Sequence, residues 1–258
     1  MASDSVLLEH RDGIARITLN RPDKLNSFDN PMLDRMLEVL GEVRAERTVR
    51  AVYLTGAGRA FCAGQDISTQ VPDGDYGAHL RKHWNPIALG FKALEVPVVA
   101  AVNGVAAGAG ANLALCADFV VAAEEASFIQ AFINIGLVPD TAGSWTVPQL
   151  IGPARAAAHL MLGDKLPAAT AAEWGLIYRA VPLAELETTA WALAVRLAAM
   201  PTKALGLTKR MIRAAATNSL DEQLALEAEC QAIAGRSRDH VEGVTAFREK
   251  RKPEFLGE

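Results

Sequence analysis

"VPVVAAVNGVAAGAGANLALCADFVVAA", residues 96–123, is the stretch whose reading decides the fold. Its first part, through Val102, is a near-continuous apolar run of the kind found in strands covered on both faces. "AAGAGANLALCAD" (106–118) follows as a helix with no polar face, and such helices are buried all round. "FVVAAEEASFI" (119–129) then gives another strand and a short turn whose Glu124 and Glu125 read as a solvated face. Asn112 and Asp118 interrupt the apolar character, so the stretch reads as buried helix and strand instead of a membrane span. Asp118, directly ahead of a strand, reads as structural.

Working outward, "GIARITLNRP" (13–22) alternates like a half-buried strand and stops before proline. "NPMLDRMLEVLGEVRAE" (30–46) starts a helix that Asn30 can cap, with Met32, Leu33, Met36, Leu37 and Leu40 on one face. "VRAVYLTG" (49–56) is a second strand, and it runs into the glycine-rich loop "GAGRAFCAGQDI" (56–67). A helical segment covers roughly residues 77–95; its His79 and His83 fit a solvated helix face better than a ligand pair. From about residue 152 the texture changes to amphipathic helices, from "GPARAAAHLMLG" (152–163) to "DHVEGVTAFREK" (239–250). Alternating strands and helices followed by helices alone predict an α/β core, residues 1–200, and a C-terminal helical region, residues 201–258.

The 258-residue chain is half hydrophobic, 22% charged and carries a formal net charge of −4, which points to neither nucleic acid nor an anionic membrane as partner. Cys62, Cys116 and Cys230 are odd in number, widely spaced and without CxxC, which fits reduced thiols in a cytoplasm and no zinc site. "MASDSVLLEHRDG" (1–13) lacks the basic and apolar regions of an export signal.

Two familiar enzyme patterns fail. "LTGAGRAFCAG" (54–64) follows a strand, but Phe61 stands where the third glycine of a dinucleotide fingerprint belongs. No G-x-S-x-G nucleophile elbow occurs, and Ser144 in "AGSW" is not one. What remains are two glycine-rich segments, each after an apolar strand, that let backbone N–H groups approach a ligand. They could form an oxyanion hole or merely permit tight packing. Asp140, in "GLVPDTAGSW" (136–145), is equally double: a helix N-cap or a buried acid.

"LNRPDKLNSF", "LTGAGRAFCAGQDI", "AVNGVAAGAGANLALCAD", "GLVPDTAGSW" and "EWGLIYRAV" together resemble the crotonase (enoyl-CoA hydratase/isomerase) superfamily, in order along essentially the whole chain. The resemblance implies a spiral of ββα units, a C-terminal helical region used in trimer assembly, and an acyl-CoA thioester as substrate, with no separate cofactor. It places two oxyanion N–H groups on Gln65 and on Ala109, where the superfamily usually has glycine. It maps CoA contacts to Lys24, Leu25, Ala63, Asp66 and Ile67; Asp66 also has a plain loop role open to it. The two glutamates that family hydratases use to hold a water correspond to Asn112 and Phe132, neither of which usefully accepts a proton.

Asp140 falls where several isomerases of the superfamily carry an acid, and a dehalogenase branch an aspartate nucleophile. One carboxylate suffices to move a proton between carbons, so the resemblance implies an acyl-CoA isomerase. It extends to the branch acting on ring-1,2-epoxyphenylacetyl-CoA, for which Phe132 and Trp145 would suit an aromatic acyl group. Cover by Phe132, Leu137 and Trp145 is expected to raise the Asp140 pKa. The alternatives are a 2-enoyl-CoA hydratase and a non-catalytic acyl-CoA-binding homologue. The apolar surface of the C-terminal helices predicts a homo-oligomer, a trimer or a dimer of trimers by resemblance.

Overall fold

A computed structural model describes residues 5–69 and 71–258. The first four residues of the stretch read for an export signal therefore lie outside it. β1 (Val6–Arg11) and β2 (Ile14–Leu19) form a hairpin through Asp12 and Gly13, whose φ values of 53° and 75° match the twist of the strands. Helix α1 (Asn30–Ala45) follows, and its cap is Asp29, not Asn30: the Asp29 carboxylate accepts the Met32 N–H at 3.0 Å. Met32, Leu33, Met36, Val39, Leu40 and Val43 are buried at helical spacing. Each such side chain contributes about 1.5–3 kcal/mol on burial, so this stripe holds α1 on the sheet.

The next elements repeat. β3 (Ala51–Gly56) and β4 (Ala60–Cys62) lead to α2 (Tyr76–His79), a π-helical turn at Leu80–Trp84, and α3 (Asn85–Ala93). β5 (Val98–Val102) and β6 (Val105–Ala107) lead to α4 (Ala109–Ala114). β7 (Phe119–Ala123) and β8 (Ser127–Ile129) lead to α5 (Gly143–Leu162), broken at Gly152 ahead of Pro153. β9 (Lys165–Pro167), α6 (Ala168–Trp174), β10 (Arg179–Val181) and α7 (Leu183–Ala198) complete the core.

The first strand of each repeat joins a six-stranded sheet of order β1-β2-β3-β5-β7-β10, and the second joins a four-stranded sheet of order β4-β6-β8-β9. β4, β6 and β8 run parallel, as do β2, β3, β5, β7 and β10. The chain is thus a spiral of ββα units, as the sequence implied. β3 and β5 are buried at every position, the burial expected of strands covered on both faces.

Three helices end the chain: α8 (Thr202–Ala214), α9 (Leu220–Ala234), opened by a Ser219/Glu222 capping box, and α10 (Arg238–Glu249). They bury little of their own: Ile212 is 71%, Leu220 73% and Phe247 85% exposed. No helix among the described residues is long and apolar enough to cross a membrane. The three cysteines are buried and unpaired.

Candidate active site

Because β4, β6 and β8 are parallel neighbours, the loops leaving their C-terminal ends emerge side by side. The first contains Ala63–Asp66, the second Gly108 and Ala109, and the third runs from Gln130 to the start of α5. The glycine-rich loop, the start of α4 and "GLVPDTAGSW" meet here, while "EWGLIYRAV" lies on α6 and β10.

Gln65 forms a parallel bridge with Phe28, in which the Phe28 N–H donates to the Gly64 carbonyl and the Asp66 N–H to the Phe28 carbonyl. That pattern turns the N–H of Gln65 itself away from Phe28, and it has no acceptor among the described residues. Ala109 opens α4, so its N–H also has no partner within the helix. The two loops touch: a methyl group built on Gly64 would stand 3.3 Å from the Ala109 nitrogen and 2.8 Å from the Ala107 carbonyl oxygen. With its φ of +90°, position 64 admits only glycine without displacing this junction.

Asp140 lies on the third loop. It is not an N-cap: α5 begins at Gly143, after Thr141 and Ala142, whose φ values of 49° and 63° are left-handed, and no side chain caps it. The carboxylate instead accepts the Thr141 hydroxyl at 2.7 Å. Burial pushes its pKa up to about 6, and the Thr141 bond works against that rise.

Asn112, one turn into α4, explains how the loop is held. Its Nδ2 donates to the Asp140 carbonyl at 2.8 Å, and its Oδ1 accepts Gln130 Nε2 at 2.8 Å. Its carboxamide lies against Gly143, where a methyl group would come within 2.2 Å of Nδ2. The amide is engaged at both ends by the loop. Phe132 is buried and its ring faces Gly108, 3.7 Å from where a Cβ would stand.

Two expectations need correction. Trp145 is 41% exposed and lines a separate cavity of about 520 Å³ with Phe119, Leu176 and Tyr178; neither Gln65, Ala109 nor Asp140 lines that cavity. Trp145 lies in the first turn of α5 and lines that cavity, so it gives Asp140 no closed lid. His79 and His83 are no solvated face either: both are buried, with ring centroids 4.8 Å apart. His79 ends α2 and His83 lies in the π-turn that follows it. His79 Nε2 lies 3.2 Å from Gln65 Oε1, and the Trp84 indole N–H donates to the same oxygen at 2.9 Å.

The remaining candidates flank the first loop. Lys24 ends a 3₁₀ turn and is exposed, Leu25 is left-handed at φ 51°, and the Leu25 carbonyl accepts the Ala63 N–H at 2.9 Å. Asp66 accepts from the Ser68 hydroxyl and N–H and from Arg21, which hold its carboxyl below the usual range. Ile67 is 85% exposed. Glu124 and Glu125 are exposed, and Asp118 is structural: it accepts the Val98 N–H and pairs with Lys209 at 2.7 Å. No cluster of potential metal ligands occurs among the described residues.

Residues 9–258 match the family model described as enoyl-CoA hydratase/isomerase. The chain is similar to a 1,2-epoxyphenylacetyl-CoA isomerase of Escherichia coli K12, at 47% identity with 97% of this chain and 98% of the relative covered. It is 43% identical, over the whole of both chains, to a Rhodobacter capsulatus protein named "Probable enoyl-CoA hydratase". The crystal structure of an enoyl-CoA hydratase from Bacillus anthracis superposes with a TM-score of 0.91 at 32% identity, covering 98% of this chain and all of that one.

Proposed function

The chain belongs to the enoyl-CoA hydratase/isomerase family, an enzyme family acting on acyl-CoA thioesters, and from that premise we propose that it is an acyl-CoA isomerase with Asp140 as its single acid/base. The observation that carries the proposal is a single carboxyl on a loop pinned to α4 by Asn112, where family hydratases carry a glutamate; burial pushes that carboxyl's pKa up to about 6. A carboxylate poised there is basic enough to take a proton and acidic enough to return it.

The reaction begins with the thioester carbonyl between the Gln65 and Ala109 N–H groups, whose lack of acceptors among the described residues supports this role. Asp140 removes a proton from carbon, and the electron pair moves to the carbonyl oxygen as an enolate. The same acid then delivers the proton at another carbon, so substrate and product have equal composition. Water addition would need a second carboxyl to activate a water. Phe132 cannot do this, and Asn112 is spent on Asp140 and Gln130.

The 47% identity to the epoxyphenylacetyl-CoA isomerase supports an aromatic or ring-epoxidised acyl group, and Phe132 beside Gly108 supplies a flat apolar wall for one. Lys24, Leu25, Ala63, Asp66 and Ile67 would take CoA; exposure at Lys24 and Ile67 supports access, while Asp66 contributes through loop structure. The exposed apolar residues of α8, α9 and α10 support a homo-oligomer, trimer or dimer of trimers.

The test is Asp140→Asn with a 3-enoyl-CoA. Turnover is expected to fall by about 10²-fold or more, at the scale of losing a positioned acid/base, with thioester affinity retained. Near wild-type turnover, or robust hydration of crotonyl-CoA by the unaltered enzyme, overturns the assignment.

A further inference from the structure

We propose that the Gln65 side chain, held by the π-turn that covers it, is a specificity-determining donor to an oxygen atom carried on the acyl group. The inference rests on the isomerase reading for the position of the acyl group, and on three observations of the side chain.

First, the orientation of the carboxamide is fixed by chemistry. The Trp84 indole nitrogen can only donate, so the atom 2.9 Å from it is Oε1 and the other is the NH₂ group. His79 approaches the same oxygen at 3.2 Å, which places the His79 proton on Nε2. Burial, with His83 and Lys82 nearby, holds that imidazole below its ordinary pKa.

Second, the arrangement depends on the π-turn. Residues five apart on an α-helix point about 140° from one another. The wider i→i+5 turn over Leu80–Trp84 lets His79 and Trp84 reach one oxygen. Trp84 is itself buried and packs on Phe28 with ring centroids 5.0 Å apart, and Phe28 bridges Gln65. The side chain that the π-turn grips thus belongs to the residue whose N–H faces the thioester site.

Third, Gln65 Nε2 is buried and has no acceptor among the described residues. A buried donor without a partner is costly, and a site built around one favours ligands that supply the acceptor. Because amide and N–H belong to one residue, we place the acceptor that the amide lacks on the acyl group, beyond the thioester. An ether or epoxide oxygen on the acyl group fits, since it accepts and cannot donate.

The test is affinity, by calorimetry, for (tetrahydropyran-2-yl)acetyl-CoA and cyclohexylacetyl-CoA, a saturated pair differing by an oxygen in place of a methylene. The wild type is expected to bind the ether about fivefold to tenfold more tightly, the scale of one hydrogen bond. Gln65→Met, which keeps the backbone N–H, is expected to level the two ligands, read as the ratio of their affinities within that variant. Gln65→Glu puts an acceptor where the donor stands and is expected to reverse the preference. Trp84→Phe, which keeps a ring but releases the carboxamide, is expected to lower it. Absence of a preference in the wild type, a preference surviving Gln65→Met, or an equal loss for both ligands overturns the proposal. Turnover of a 3-enoyl-CoA by the same wild-type preparation reports on the isomerase reading independently.

Discussion

Thr141→Ala removes the hydroxyl that donates to Asp140 Oδ1 at 2.7 Å. That bond favours the ionised form and opposes the burial that pushes the carboxyl up to about 6. A hydrogen bond to a charged group is worth about 1.5–3 kcal/mol, and about 1.4 kcal/mol moves a titration midpoint by one pH unit. Losing it therefore carries the Asp140 midpoint from about 6 to between about 7 and 8. At pH 7 the ionised share falls from roughly nine-tenths to between about a half and a tenth. Since the base works only when ionised, the acidic limb of kcat against pH moves up with it. Thr141 is a β-branched residue at φ 49°, so alanine eases the backbone there while removing a buried methyl group, and the fold of the variant is checked by its melting temperature. The assay is kcat and kcat/KM for a 3-enoyl-CoA between about pH 5 and pH 9. An acidic limb left at its wild-type position in a normally folded variant refutes Asp140 as the titrating base.

Asp140→Asn also makes a stability prediction. The folded pKa is raised, so the ionised carboxyl costs stability; that cost is absent below about pH 4, grows through pH 6 and is complete above it, at about 3 kcal/mol. The variant should melt higher than wild type at pH 8 and level with it near pH 4, checked by calorimetry at both. Gly64→Ala should lose about 10²-fold or more in kcat, because the methyl would press on the Ala107 carbonyl and the Ala109 nitrogen; turnover near wild type would show that the junction tolerates displacement. Asn112→Glu should not gain crotonyl-CoA hydration, since it deletes the donor to Asp140 and adds a charge against Gly143; isomerisation should fall with it, and a rise in hydration counts against the argument.

How far the sequence was legible follows element length. β2, β3, β5 and β7 are long apolar or alternating runs, and the buried α4 announced itself by lacking a polar face. β9 and β10 have three residues each, too few for any period to show, and β1 is marked in the sequence only by the Asp12-Gly13 turn that follows it. The loops around Gln65, Ala109 and Asp140 were legible through resemblance, because each carries glycine or proline punctuation. What was misread depends on rotation about a helix axis. His79 and His83 look solvated at i, i+4 on an α-helix but are buried around a π-turn, and Trp145 is half-exposed in the first turn of an α5 that starts after two left-handed residues. Neither a π-turn nor a left-handed Thr141 has a local composition that announces it. The role of Asn112 was likewise invisible, since its partners Gln130 and Asp140 are brought to it by the spiral.

The most direct measurement is chromatographic separation, with absorbance of the conjugated enoyl thioester and mass detection, of the products formed from a 3-enoyl-CoA by wild type and by Asp140→Asn. One carboxyl shuttling a proton predicts, for the wild type, the conjugated isomer at unchanged mass with no hydrated thioester, and for the variant, unreacted substrate. A hydrated product from the wild type, or the isomer still formed by the variant, contradicts it.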